Sequence, residues 1–213
     1  MASSRAIKLP RRLLRRMGQH ENELFFRQWL RRPKTLGSII PSSRYLARAI
    51  AEVVATRSRP TIVELGGGTG PITRGLLDAG IPPEQLVVVE LDRALHDFLG
   101  RRFPELRVIR GDATKLTALL QDSGVDDVGC VVSGIPMVNM PLDFQRAIMR
   151  AAFAVLPPDG FVLQYSYSPV PPVRHAALGV EATRMRYVLR NIPPAAIWRF
   201  TRSAAYAEAA AAA

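Results

Sequence analysis

The stretch Thr61-Ile62-Val63-Glu64-Leu65-Gly66-Gly67-Gly68-Thr69-Gly70-Pro71 constrains this chain more than any other. An apolar run enters a loop rich in glycine, and a proline follows, as in a strand, a tight loop and the first turn of a helix. Glycine adopts positive φ freely and lets a ligand approach the backbone. Proline at the first helical position forfeits no hydrogen bond. Glu64, Gly66, Gly68 and Gly70 fall in the spacing E-x-G-x-G-x-G. A dinucleotide loop needs G-x-G-x-x-G, and counting from Gly66 its last glycine falls on Pro71. The spacing therefore argues against a dinucleotide and leaves another nucleotide-binding loop, or a glycine-rich turn of some other α/β protein.

The rest of the chain supports an α/β reading, because strand-like runs alternate with helical patterns. Strands are expected at 61–65, 86–90, 107–109, 128–132 and 161–165. Helices are expected at 71–79, 93–102, 114–121 and 142–156, the last stopped by Pro157-Pro158-Asp159-Gly160. Two further β-like runs, 185–189 and 197–201, flank Asn191-Ile192-Pro193-Pro194 and read as a terminal antiparallel pair. Before the glycine loop, Tyr45, Leu46, Ala49, Ile50 and Val53 give a helix an apolar stripe, with Ser42 or Ser43 as its cap. Leu9–Leu30 also has helical periodicity. Leu13, Met17, Leu24 and Phe25 lie near one face, which Leu14, Phe26, Trp29 and Leu30 widen.

Charge is unevenly placed. The formal net charge is +11, and residues 1–34 hold ten Lys or Arg against Glu21 and Glu23, which leaves +8 in that segment. Such a concentration calls for a polyanionic partner, nucleic acid or an anionic membrane surface. Arg12, Arg15 and Arg16 beside Phe25, Phe26 and Trp29 form the basic, aromatic-bearing helix that an interfacial membrane contact requires, though a helix packed on the domain has the same pattern. One cysteine, Cys130, lies in an apolar run and reads as a buried, inert thiol. His20, His96 and His175 show no ligand spacing, so no metal is expected. No apolar run has bilayer-spanning length and no signal peptide is evident, so a cytoplasmic protein is expected.

Two acids and a further loop follow the glycine motif. Glu90 ends the second strand, 20 residues past Gly70, where a carboxylate can accept both hydroxyl hydrogens of a ribose or simply face solvent. Asp112 ends the third, where it can accept from an adenine amino group while the Ala113 N–H donates to a ring nitrogen; helix capping is the alternative. The fourth strand runs into Ser133-Gly134-Ile135-Pro136-Met137, read as a loop that contacts substrate or as a proline-rich loop without chemistry.

Together, Ile39-Ile40-Pro41-Ser42-Ser43, Val63–Gly70, Val89-Glu90, Gly111-Asp112-Ala113 and Ser133–Met137 resemble the bacterial phospholipid N-methyltransferases of the soluble class I type over residues 10–203. The resemblance implies a Rossmann-like class I methyltransferase fold: a seven-stranded, mostly parallel sheet with helices on both faces and a terminal antiparallel strand, plus an N-terminal amphipathic helix. It implies three parts: residues 1–34 for membrane docking, 35–203 as the S-adenosylmethionine-dependent domain, and 204–213 as an Ala-rich tail without a role. It implies S-adenosyl-L-methionine as cofactor, held by Ser42, Ser43, Glu64, Gly66, Gly68, Gly70, Glu90, Leu91, Asp112, Ala113 and Ser133.

The implied reaction methylates phosphatidylethanolamine and its partly methylated forms. Its catalytic group is Ser133, Gly134, Ile135, Tyr167 and His175, with backbone carbonyls at Ser133–Ile135 orienting the amine. Tyr165, Tyr167 and His175 are the candidates for a base. Tyr45, Met137, Tyr165, Tyr167 and Arg174 are the substrate contacts, Tyr165 and Tyr167 by cation–π attraction and Arg174 through the lipid phosphate. A monomer on the inner leaflet of the cytoplasmic membrane is expected, with phospholipid and anionic surface as partners and nucleic acid disfavoured. The rRNA adenine dimethyltransferases share the motif order but carry Asn-Leu-Pro-Tyr and an added C-terminal helical domain, neither expected here; Met137 stands where their stacking aromatic would be. An RNA methyltransferase, a small-amine methyltransferase and a non-catalytic peripheral membrane protein are the competing readings.

Overall fold

The structure is a computed structural model that describes residues 44–204 and 206. Residues 1–34, including the proposed membrane contacts, lie outside the described residues, as do Ser42, Ser43 and most of the alanine tail.

Helix α1 (Arg44–Val54) precedes strand β1 (Thr61–Leu65) and helix α2 (Pro71–Asp78). Then come β2 (Leu86–Glu90), α3 (Arg93–Arg102), β3 (Arg107–Arg110), α4 (Leu116–Asp122) and β4 (Val128–Ser133). Helix α5 (Leu142–Ala154), β5 (Phe161–Ser166), short α6 (His175–Leu178), β6 (Val180–Val188) and β7 (Ala195–Arg202) complete the order. The seven strands form one sheet, β3-β2-β1-β4-β5-β7-β6. All neighbours from β3 to β5 pair parallel, while β7 runs antiparallel to both β5 and β6.

Alternation along the strands divides the interior. Ile62, Leu86, Val88, Cys130, Val132, Phe161 and Leu163 join Leu46, Ile50, Ile72, Leu76, Leu99 and Phe103 from α1, α2 and α3 in one core cluster. Phe144, Ile148, Met149 and Ala152 of α5 are also buried. Helices α1 and α2 cross closely, because a Cβ on Gly75 would stand 2.0 Å from the Cβ of Ala47.

The strand and helix expectations agree with these elements within two residues except at three places. The 114–121 helix begins as a 3₁₀ turn at Ala113–Lys115, β6 starts five residues before Met185, and α6 had no counterpart. Strand β6 lies at the sheet edge, is mostly exposed and shifts register between Arg184 and Arg186, so it lacks the apolar alternation that marks a strand in sequence.

Candidate active site

The glycine loop leaves β1 at the carboxyl end of the parallel strands. Gly66, Gly68 and Gly70 all have positive φ, at +74°, +58° and +79°. A Cβ on Gly68 would meet nothing within 4 Å, so the loop tip presents bare backbone to open space. Gly67 has the opposite reason to be glycine: a Cβ there would lie 2.5 Å from Val88 Cγ1. Gly70 N-caps α2, and Pro71 occupies its first turn, as the sequence implies.

Two buried carboxylates brace this loop. Glu64 continues the alternation of Ile62, so its side chain enters the side of the sheet covered by α2, and only 2% of it is exposed. Thr73 Oγ1 of α2 donates to Glu64 Oε2 at 2.7 Å. Burial pushes the Glu64 carboxyl up to about 7, with the nearby Glu90 charge adding in the same direction. Glu90 is equally buried, and its carboxyl is likewise raised, chiefly by desolvation. Its Oε2 accepts from the Gly68 N–H at 2.9 Å and its Oε1 from the Asp92 N–H at 3.0 Å. The Leu91 N–H also contributes, so three backbone N–H groups hold Glu90 and about one of the carboxylate's four acceptor positions is left for a ligand. Half-buried Leu91 lies between these anchors. Asp112 does cap: its Oδ1 accepts from the Thr114 N–H at 2.9 Å, with Ala113 buried beside it.

The loop after β4 meets the glycine loop directly. Gly134 N–H donates to Leu65 O at 2.8 Å, and a Cβ on Gly134 would lie 2.8 Å from Gly66 O and 3.3 Å from the Tyr165 hydroxyl. Gly66, Gly134, Ile135 and Tyr165 are therefore brought together. Ser133 pairs with Gln164 across β4 and β5. Ser133 Oγ accepts from the Ile135 N–H at 3.3 Å, while Gln164 Nε2 donates to Ile135 O at 2.8 Å. Both backbone groups of Ile135 are thus engaged, and its carbonyl is already shared with Gln164.

Buried Gln145 of α5 extends the bracing. Its Nε2 donates to Met137 O at 2.9 Å and to Met140 O at 3.1 Å, and its Oε1 accepts from the Arg174 N–H at 2.8 Å. One side chain thereby ties the loop after β4 to the segment after β5. Sequence reasoning missed Gln145 and Gln164. The available signal was an amide inside an apolar segment, as in Phe161-Val162-Leu163-Gln164-Tyr165. Gln164 Oε1 is buried without a hydrogen-bond partner among the described residues.

The expected substrate contacts divide. Met137 is 1% exposed and packs inward, while the neighbouring Val138 is 44% exposed. A 3₁₀ turn over Met137–Asn139 directs the methionine into the interior. Tyr165 is half-buried and lies on β5, whereas Tyr167 lies one residue past its end and is exposed. The Arg174 side chain is exposed, and half-buried His175 opens α6. Tyr45 lies between two guanidiniums, Arg44 and Arg190, whose carbons stand 5.1 and 5.5 Å from its ring centre. Arg44 Nη2 donates to the Tyr45 hydroxyl at 3.2 Å, and that bond lowers the phenol's pKa. No group of three or more His, Cys, Asp or Glu among the described residues is placed to hold a metal.

Sequence and structure comparisons place this arrangement. The chain is 31% identical over 175 residues to an ornithine lipid N-methyltransferase of Singulisphaera acidiphila, covering 81% of this chain and 91% of that protein. A ribosomal RNA small subunit methyltransferase A of Maridesulfovibrio salexigens is 38% identical over 85 residues, which span 40% of this chain and only 32% of the relative. No family model matches. Among solved structures, an O-methyltransferase from Bacillus cereus in complex with SAH aligns at TM-score 0.56 and 15% identity, over 85% of this chain and 90% of that one. A TehB-like SAM-dependent methyltransferase from Corynebacterium glutamicum aligns at 0.52 and 19%, over 87% and 100%. These two likenesses show the fold.

Proposed function

Because this chain belongs to the S-adenosylmethionine-dependent methyltransferases, in the family of the ornithine lipid N-methyltransferase, we infer that it methylates the amine of a membrane lipid at the bilayer surface. S-adenosyl-L-methionine is its cofactor, and the carboxyl end of β1 and β2 fits that group. Bare backbone at Gly68 faces open space, and the Glu90 carboxylate is fixed with accepting capacity to spare. The bound cofactor supplies an electrophilic methyl group. Glu90 is assigned to the ribose hydroxyls, the segment Asp112-Ala113 to the adenine, and Glu64 to electrostatic support of the cationic end.

The acceptor side is the half of the sheet from β4 to β6. A lipid ammonium has a pKa near that of lysine, so its neutral form costs about 4–5 kcal/mol at pH 7. Burial beside Gly134 and Tyr165 lowers that cost by disfavouring the charged amine. Carbonyls at Ser133 and Gly134, together with Gln164 Oε1, are the acceptors assigned to the amine hydrogens. The rigid bracing of Ile135 and Met137 holds these acceptors in place, so catalysis rests on positioning and exclusion of water.

The observation that carries this reading is the similarity to a lipid N-methyltransferase along nearly its full length. Phosphatidylethanolamine is the proposed acceptor from the sequence motifs, and the relative's name gives ornithine lipid as the second. The basic segment 1–34 is proposed to dock the domain 35–203 on anionic membrane, at about 1 kcal/mol per Lys or Arg near the surface. No helix among the described residues is long and apolar enough to cross a membrane. Incubation with methyl-labelled cofactor, vesicles of either lipid and ribosomal RNA tests the reading. Label is expected in the organic extract, co-migrating with N-methylated lipid. Label confined to RNA would overturn it.

A further inference from the structure

The exposed apolar side chains of this domain are concentrated at one end. The large hydrophobic residues exposed among the described residues are Phe98, Val138, Tyr167, Val170, Tyr187, Leu189 and Ile192. All but Phe98 lie at the carboxyl end of the parallel strands. Val138 follows β4, and Tyr167 and Val170 follow β5. Strand β7 begins where β5 ends, since Ala196 pairs with Ser166, and Val188 pairs with Ala195. The turn between β6 and β7 therefore projects from the same end, carrying Leu189 at 71% exposure and Ile192 at 82%. These are the most exposed large apolar residues described, and water gains nothing from them.

The charge around them is mostly basic. Residues 133–141, 166–180 and 182–195 contain Arg174, Arg184, Arg186 and Arg190 and no Asp or Glu. Arg44 adds one more, and it and Arg190 both lie over the Tyr45 ring. Glu64 and Glu90 lie at the ends of β1 and β2, Asp92 and Asp112 follow β2 and β3, and beyond β4 the acid at this end is Asp143 in the first turn of α5, paired with Arg146. The acids around the cofactor loop are thus interspersed with Arg93, Arg110 and Lys115, while the exposed apolar residues and Arg174 and Arg190 gather around the acceptor loops.

We propose that the β6–β7 turn, with Leu189 and Ile192 at its tip, inserts into the interfacial region of an anionic bilayer and presents the mouth of the methyl-transfer site to the lipid headgroups. Apolar side chains ringed by arginines match a negatively charged interface, where the apolar groups leave water and the guanidiniums stay at the phosphates. The turn shares the end of the sheet that bears Gly134 and Tyr165, so a lipid amine there reaches the site without leaving the membrane. This contact is independent of the segment 1–34, and it rests on the lipid reading only for its purpose.

The test uses the chain's single cysteine, Cys130, which is buried with its thiol pushed up to about 12 and so resists labelling. An environment-sensitive fluorophore is attached to Ile192→Cys and, separately, to Asp159→Cys in the exposed turn at the opposite end of β5. With vesicles containing phosphatidylglycerol, the Ile192→Cys label is expected to shift to the blue while the Asp159→Cys label stays aqueous. The double variant Leu189→Asp/Ile192→Asp is expected to lose at least about tenfold in vesicle partitioning, with calorimetric binding of S-adenosylhomocysteine unchanged. An unshifted Ile192→Cys label on protein that sediments with vesicles would overturn the proposal. So would a blue shift that needs no vesicles and grows with protein concentration, which would assign the surface to a second copy of the chain. Failure to methylate lipid would leave the fluorescence result standing and would count against the substrate alone.

Discussion

Glu64 holds its carboxyl where water does not reach, hydrogen-bonded to Thr73 and with a pKa raised by burial from 4.5 to about 7. Between those two values the native state binds more protons at this group than the unfolded chain does, so its contribution to stability falls as pH rises and is level above about 7. The loss amounts to about 3 kcal/mol. Urea titrations across that window should show the decline, and Glu64→Gln should flatten this part of it. A cationic ligand beside Glu64 favours its ionised form, so cofactor binding should release a proton near neutral pH. Calorimetry in two buffers of different ionisation heat reads that release, and equal heats would remove Glu64 from the cofactor's surroundings. Glu90→Ala leaves the Gly68 and Asp92 N–H groups without their acceptor. It should weaken cofactor binding by about tenfold or more, on the scale of a hydrogen bond to a charged group.

The elements are held by close contacts that carry their own tests. Gly75→Ala drives a methyl group into Ala47 where α1 crosses α2. It should cost about 1–3 kcal/mol of unfolding free energy, since backbone on both sides limits relief. Gln145→Leu removes the tie between the loop after β4 and the segment after β5, and hydrogen exchange at the Arg174 amide should quicken. Strands β1 and β2 and helix α3 were legible to the residue, because apolar runs bounded by glycine, proline or a capping acid leave little choice of boundary. Edge strand β6 was legible only at its apolar end, since the exposed stretch Glu181–Arg184 has no core to alternate against. Gln145 and Gln164 were not legible as braces. Their partners at Met137, Met140, Arg174 and Ile135 are set by tertiary approach, which no local spacing records. The same limit explains Met137, whose position in the motif was readable while its inward direction was not.

At the scale of the whole molecule, charge and sheet topology point the same way. Strands β1, β2 and β3 end in carboxylates near the glycine loop, and β4, β5 and the β6–β7 turn lead to exposed apolar residues, with Arg174 and Arg190 among them. The proposed docking relies on the net charge of +11, and salt should weaken that attraction over a Debye length of about 8–10 Å. Deletion of residues 1–34 should lower sedimentation with anionic vesicles and leave cofactor affinity intact. Equal sedimentation with neutral and anionic vesicles would contradict the electrostatic part of the account. The most direct test of its central claim is the initial rate of methyl transfer to an amine lipid in vesicles of increasing phosphatidylglycerol content. The rate should rise with surface charge and fall with added salt while calorimetric cofactor affinity stays constant; a rate indifferent to the composition of the bilayer would contradict it.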